Sequence, residues 1–458
     1  MLRSKIWKRI LLSVFLLILL GIVWIAWQVF PLISGYGAKN LASAYYLQHR
    51  VPATIIKEDL GDFPSTLGTY TLNEKDSSVT ATVWGFAKRK AIFRKGLGAT
   101  LINEFSEEQL RAQAFNLPAK PIVNTDTILW PYGDKLTNEI PSNVDTVQLN
   151  KAVESVFHAL NNDKPVYTRA VIVVYDGNII AEKYAPGFDK HTVLLGWSMS
   201  KSLTAAMIGL LVNERKLTVE APAPIPEWKG TNKEKITLLN LLQQTSGLDF
   251  EEVYTRPSEV TKMLFNYGDM AAYTAKLPLK YTPGTVFNYS SGNSNILSRI
   301  IRQAVGERQY AAFPYTNLFY KINAYSFLLE PDAAGTYIGS SYSYATARDF
   351  VRFGLLYYNN GKWNGEQLLP EDWVKKSILP PACNTYKNYG YQFWLNGQNK
   401  KDIRQKAYPD VPDDMFYADG YGGQDVYIIP SKKIIVARFG VHTIDENKFL
   451  KEVLQSVK

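Results

Sequence analysis

The sequence predicts an α/β chain of the α+β kind: an antiparallel sheet flanked by helices, with a helical lobe inserted and one transmembrane helix in front. Three observations predict it. Strand-rich runs lie far apart, at Thr168–Tyr175 with Asn178–Tyr184 and at Val426–Ile429 with Ile434–Phe439. Between them, residues 215–380 read mostly as helix and loop, so distant segments must meet in one sheet around an inserted lobe. Ahead of everything, Ile10 to Ala38 holds no charged residue.

That N-terminal run is apolar from Ile10 to Ile33 except for Ser13, Gly21, Gln28 and Pro31. About 20 apolar residues at a 1.5 Å rise span a hydrocarbon core, whereas a cleavable signal has a core of only about 7–15. An uncleaved anchor is therefore expected over residues 1–35. Arg3, Lys5, Lys8 and Arg9 precede it and stay cytoplasmic under the positive-inside rule, and Trp24 and Trp27 suit the far interface. The body then sits outside the cytoplasmic membrane of a bacterium, in periplasmic space.

Residues 36–140 read as a mixed region of unassigned role. Ala38–His49 has helical character, Thr69–Thr82 and Ala91–Leu101 contain strand-like runs, and Asn116–Asp134 is a proline-bearing connector. The main domain occupies 141–458. A helix is expected from Leu149 to Leu160, then the hairpin turned by Asp176-Gly177, since a tight primed turn needs positive φ. Ile236–Leu248 reads as a helix stopped by Gly247, Ala345–Tyr358 as an amphipathic helix, and Glu446–Val457 as the last helix.

Composition closes several routes. Hydrophobic content of 46% with 20% charged residues describes a folded chain with room for two or three domain-sized units. Four of the nine excess positive charges lie in the N-terminal basic cluster, and no basic stripe with interleaved aromatics follows, so nucleic acid is not an expected partner. Cys383 is the sole cysteine, which excludes an intramolecular disulfide and a thiolate metal cluster. His49, His158, His191 and His442 have no zinc spacing, and no G-x-S-x-G elbow occurs. No metal or organic cofactor is implied.

One short stretch carries chemistry. Gly196-Trp197-Ser198-Met199-Ser200-Lys201 runs into the apolar segment Leu203–Val212, placing a serine three residues before a lysine at a helix start. At that spacing both side chains share a face, and the amine can take the hydroxyl proton that a free serine does not surrender unaided. The helix start also offers unpaired N–H groups for a developing oxyanion. Ser200 and Ser202 read as helix-start hydroxyls.

From here the order of features resembles the serine β-lactamase and penicillin-binding superfamily, in its class C-like branch, which includes esterases and 6-aminohexanoate-dimer hydrolases. Ser198-Met199-Ser200-Lys201 looks like its first motif. Leu241-Leu242-Gln243-Gln244-Thr245-Ser246-Gly247-Leu248 resembles a stretch common to the branch. Tyr281–Ser291 resembles the approach to the second motif, with Tyr289 at its tyrosine, and Ala347–Gly354 with Asn360–Gly365 resembles a further helix and loop. Gly420-Tyr421-Gly422-Gly423-Gln424 sits where the third motif belongs.

The resemblance implies Ser198 as nucleophile, Lys201 as its base partner and Tyr289 as a second acid/base. It also implies an oxyanion hole from the backbone N–H groups of Ser198 and Gln424, and substrate contacts from Ser291, Tyr421, Gly422 and Gly423. Lysine and tyrosine ordinarily titrate near 10, so each must be tuned by burial or by the other's charge. Two positions depart from the pattern. Ser291 stands where penicillin-recognising members carry Asn, and Tyr421 where they carry Lys or His, which removes the cation that meets a substrate carboxylate. The expectation is a membrane-anchored hydrolase of a small ester or amide. A D,D-peptidase or β-lactamase is the nearest alternative, and a non-catalytic envelope binding module the alternative from another class.

Overall fold

The computed structural model describes residues 2–137 and 139–458; the side chains of residues 2–5, Arg3 and Lys5 of the basic cluster among them, lie outside the described set. The chain forms two compact units. One is made of residues 1–95, 99–111 and 251–268, the other of 96–98, 112–250 and 269–458.

The smaller unit is organised by one long helix, α1 (Leu2–Tyr46). Its apolar side chains from Ile6 to Ile25 are exposed, and Trp27 ends the bare stretch; from Leu32 onward nearly every residue is buried. The expected break between an anchor ending near residue 35 and a separate helix from Ala38 does not occur. Pro31 removes one helical N–H, but the helix passes through it to Tyr46. The buried half lies on a four-stranded antiparallel meander, β1 (Gly68–Asn73), β2 (Ser78–Val83), β3 (Phe86–Arg94) and β4 (Gly98–Leu101). Lys39, buried in this face, donates from its ammonium to the Ala99 carbonyl. The helix Glu259–Asn266 also packs on α1, with Phe265 edge-on to Tyr36 at 5.8 Å.

The expected partition into 36–140 and 141–458 is thus corrected at two places. Residues 251–268 join the N-terminal unit, and the connector from Ala112 joins the larger unit. The connector is held by buried arginines. Arg352 donates to the carbonyls of Pro131 and Gly133 and to the Asp134 carboxylate, and lies 4.7 Å over the Trp130 ring.

In the larger unit the predicted hairpins pair. β5 (Ala170–Tyr175) and β6 (Asn178–Tyr184) turn through Asp176 and Gly177, at φ +46° and +83°. With β7 (Trp394–Leu395), β8 (Phe416–Gly420), β9 (Gln424–Ile429) and β10 (Ile434–Phe439) they form one antiparallel sheet in the order β7-β8-β9-β10-β5-β6. Val436 sits opposite Val173, which joins segments more than 250 residues apart.

Both faces are covered. On one side α2 (Thr146–Ser155), shorter than predicted, packs with the C-terminal helix Glu446–Gln455. On the other lie α3 (Met199–Asn213), α4 (Ser291–Val305) and α5 (Ala347–Tyr358) with the large apolar core. The helix predicted to stop at Gly247 ends at Leu242; Gly247 instead takes φ +79° where a Cβ would lie 2.1 Å from the Tyr281 carbonyl oxygen.

Candidate active site

The turn that presents Ser198 is fixed from both sides. Val193–Leu195 pairs with Ser343–Thr346, and the Gly196 N–H donates to the Ser343 carbonyl at 2.8 Å. Trp197 then adopts φ +45°, a left-handed conformation that costs a bulky L-residue about 1–2 kcal/mol. Its ring is held against Tyr342 (5.3 Å) and Tyr421 (5.9 Å). Serine at a helix start usually caps the backbone with its hydroxyl. Ser198 is the N-cap of α3 and makes no such bond. Its Oγ accepts from Lys201 Nζ at 2.9 Å.

Lys201 is 1% exposed, while Ser198 beside it is half-buried. The amine also donates to the Ser340 carbonyl at 3.1 Å and lies 4.8 Å from the centroid of the Tyr289 ring. Tyr289 is clamped in turn, stacked on Trp394 at 5.2 Å and edge-on to Tyr389 at 5.5 Å. The structure therefore brings Ser198, Lys201 and Tyr289 together from segments 91 residues apart.

Third-motif residues reach the same place. A Cβ on Gly420 would fall 2.3 Å from the Gly196 carbonyl oxygen, so glycine is what lets β8 lie against the turn that presents Ser198. Tyr421 is 62% exposed at the mouth, and Gly422 and Gly423 both take positive φ. The Gln424 side chain is buried and bonded to Gly440 through both ends of its amide, which leaves only its backbone to face a ligand. Ser291, by contrast, is fully buried in the first turn of α4 and has no surface to offer a substrate.

Several residues of the site had no sequence signal. Gln244 and Gln392 centre a buried network behind Tyr289. Gln244 Oε1 accepts from the Ser290 N–H and from Asn293 Nδ2, Gln392 Oε1 accepts from Ser294 Oγ, and the Gln392 carbonyl accepts from Ser202 Oγ. Arg438 is the other. Buried in β10, its Nη1 donates to the carbonyls of Gly423 (2.9 Å), His442 (2.8 Å) and Gly422 (3.3 Å), and its Nη2 to Thr168 Oγ1 (2.8 Å). A Cβ on Gly423 would sit 2.3 Å from that Nη1, so glycine makes room for the guanidinium.

Acids lie behind this strand pair. Asp419 and Asp425 are cross-strand partners, and Asp425 also faces Arg438. Part of Asp419 reaches the surface, but burial of its carboxyl and the Glu446 charge push it up to about 7, against the pull of Lys201's positive charge. Asp425 is pushed well above the usual range by burial and by its two acidic neighbours, with Arg438 opposing. Among the described residues no group of three or more His, Cys, Asp or Glu could hold a metal ion.

A curated 6-aminohexanoate-dimer hydrolase from Paenarthrobacter ureafaciens is 25% identical over 268 residues, covering 52% of this chain and 66% of that protein, just under two thirds of its length. A family VIII carboxylesterase superimposes with a TM-score of 0.53 at 12% identity over 71% of this chain and 99% of its own. A penicillin-binding protein homolog from Caulobacter crescentus gives 0.51 at 15% identity over 70% and 100%. These two share the fold. The Beta-lactamase family matches residues 153–440, a span that runs from the end of α2 through β10 and holds Ser198, Lys201, Tyr289 and Gly420–Gln424, and the chain belongs to that family, whose members are serine hydrolases.

Proposed function

We propose that this protein is a membrane-anchored hydrolase, its catalytic unit outside the cytoplasmic membrane, that cleaves a small ester or amide through an acyl-enzyme on Ser198. The observation that carries the reading is the 2.9 Å contact between a buried lysine amine and a serine hydroxyl that caps nothing. In the reaction, Lys201 takes the proton as Ser198 Oγ bonds to the substrate carbonyl carbon. The N–H groups of Ser198 and Gln424 receive the oxyanion. Tyr289, coupled to the Lys201 charge, passes a proton to the departing alcohol or amine. Water then attacks the acyl group, and Ser198 leaves with its proton restored.

The mouth favours an uncharged substrate end. Trp197 and Tyr421 meet there, and the phenol of Tyr421 supplies a hydroxyl where a carboxylate ligand needs a cation. The relative named for hydrolysing an aminohexanoate dimer supports amide hydrolysis as a substrate class. The bare apolar stretch of α1 behind Lys8 and Arg9 supports the anchor and its orientation.

The test is intact mass and peptide mapping of the full chain in detergent after a fluorophosphonate, which phosphonylates an activated serine with loss of fluoride. A single adduct on Ser198 is expected, with turnover of neutral esters faster than of carboxylate-bearing amides or penicillins. Folded protein that takes no adduct sinks the enzyme reading in favour of a binding module, and a preference for penicillins favours the β-lactamase alternative.

Arg438 is a positioning residue in this scheme. In a trans peptide the C=O and N–H point oppositely. Holding the Gly423 carbonyl toward β10 therefore turns the Gln424 N–H to the β8 side, where Gly420 meets Gly196. Arg438→Lys keeps the charge and loses the fork of donors. It is expected to lower kcat about 10²-fold, as loss of one oxyanion donor does, with KM unchanged. Equal loss in KM, or a kcat that tracks only the unfolded fraction, would make Arg438 purely structural.

A further inference from the structure

The two ends of the N-terminal sheet differ in chemistry. At one end β1 turns into β2 through Glu74-Lys75-Asp76-Ser77, polar throughout, beside the C-terminal end of α1, where Tyr45 and Tyr46 bond to Glu74 and Asn73. At the other end β2 turns into β3 through Trp84-Gly85. Both residues have positive φ (+50° and +83°), and Val83 is paired with Phe86. This is the geometry of a tight primed turn, which asparagine or glycine fills at no steric cost. A tryptophan there is strained, and this one is also 66% exposed, with Phe86 69% exposed beside it. Strain and apolar exposure at the same tip are what an outlier with a function shows.

The tip is tied to α1 at a definite height. The Trp84 ring is edge-on to Phe30 at 5.3 Å, and Ser34 Oγ donates to the Ala87 carbonyl at 2.6 Å. Phe30 lies one turn beyond Trp27, where the bare apolar stretch of the helix ends. That stretch, counted from Ile10 just past the basic cluster to Trp27, is about 27 Å long at 1.5 Å per residue, close to a hydrocarbon core of about 30 Å. The aromatic tip therefore stands level with the end of the span, and the polar turn some 15 helical residues, about 22 Å, farther away. Exposed Lys88 follows the tip by two residues, placed where lipid phosphates would be.

We propose that the Trp84-Gly85-Phe86 tip is seated in the interfacial layer of the bilayer that α1 crosses, as a second membrane contact that fixes how the N-terminal unit stands on the lipid surface. Aromatic rings are favoured at that depth, so the tip's exposure to solvent is removed there. The proposal rests on the anchor reading of α1, and its test separates the two.

The full chain carrying Cys383→Ser is reconstituted in vesicles of phosphatidylethanolamine and phosphatidylglycerol. Spin labels are placed singly through Phe86→Cys, Leu17→Cys and Lys75→Cys, and collision with oxygen and with a water-soluble nickel chelate is measured. The expected result is a several-fold loss of nickel accessibility at 86 relative to 75, with 17 still more protected. A label at 86 as accessible as that at 75, with 17 protected, overturns the tip contact and leaves the anchor standing. A label at 17 open to nickel removes the anchor and the tip contact with it. Because Phe86→Cys alters the tip, a second reading uses Trp84→Phe. The variant is expected to lose a share of the tryptophan emission quenched by shallow-brominated lipid; an unchanged quenched share overturns the proposal.

Discussion

Ser198→Ala is expected to abolish the fluorophosphonate adduct and to lower kcat by at least about 10⁴-fold, because no other group in the turn can form the acyl bond. Ser200, the nearest alternative hydroxyl, is committed. Its Oγ donates to the Trp197 carbonyl, lies 2.8 Å from Ser343 Oγ, and accepts from the Ser343 N–H. Stability should hardly change, since Ser198 Oγ neither caps α3 nor fills core volume. Thermal melting and intact mass together check the prediction. An adduct that persists on the variant would locate the nucleophile elsewhere and defeat the assignment.

The second large effect belongs to Lys201. Lys201→Met removes the proton acceptor and is expected to lower kcat by about 10³–10⁴-fold, the range for a general base acting on an unactivated serine. Lys201→Arg is the informative companion. It keeps a cation over Tyr289 but cannot give up its proton, so it should be as inactive as the Met variant if base chemistry is what the lysine supplies. Activity recovered by arginine would mean the charge alone matters. Replacing a buried cation by methionine is not expected to lower the melting temperature, because the cost of burying the charge disappears with it.

Asp419 bears on the same base. Lysine charge pulls the Asp419 carboxyl down, so by reciprocity an ionised Asp419 favours the charged lysine. Asp419→Asn is therefore expected to move the acid limb of kcat/KM to lower pH. The sign for stability is separate. The folded-state carboxyl, near 7, lies above its unfolded value, so its contribution is complete below the unfolded value and is lost as pH rises through about 7. The asparagine variant should flatten that loss, which melting curves across the interval would show.

What could be read from the sequence was local chemistry. Asp176-Gly177 announces its hairpin because few residues tolerate the φ values that turn takes, and the Ser198–Lys201 contact follows from helical spacing alone. Tyr289 needed the resemblance, since nothing in its neighbours distinguishes it among 29 tyrosines. Arg438 and Gln392 were hidden for a physical reason. Their partners are backbone carbonyls and side chains that the fold brings in from elsewhere, and backbone acceptors leave no trace in residue identity. The transfer of residues 251–268 to the N-terminal unit was equally unreadable, because the apolar face of Glu259–Asn266 does not say which unit's helix it covers. Gly247 was read as a helix stop when its use is clearance for the Tyr281 carbonyl, and both uses look alike as letters.

Helix α1 passes without interruption from its bare apolar stretch into the sheet it packs on, and this has a mechanical consequence. If α1 spans a bilayer as proposed, a flexible tether would let the N-terminal unit tumble freely above the lipid. A continuous rod instead converts any tilt the helix adopts to match bilayer thickness into an equal rotation of the sheet. Under the anchor proposed for α1, the N-terminal unit would act as a lever whose angle the membrane sets, so a thicker or thinner bilayer would re-aim it without altering a single contact inside it.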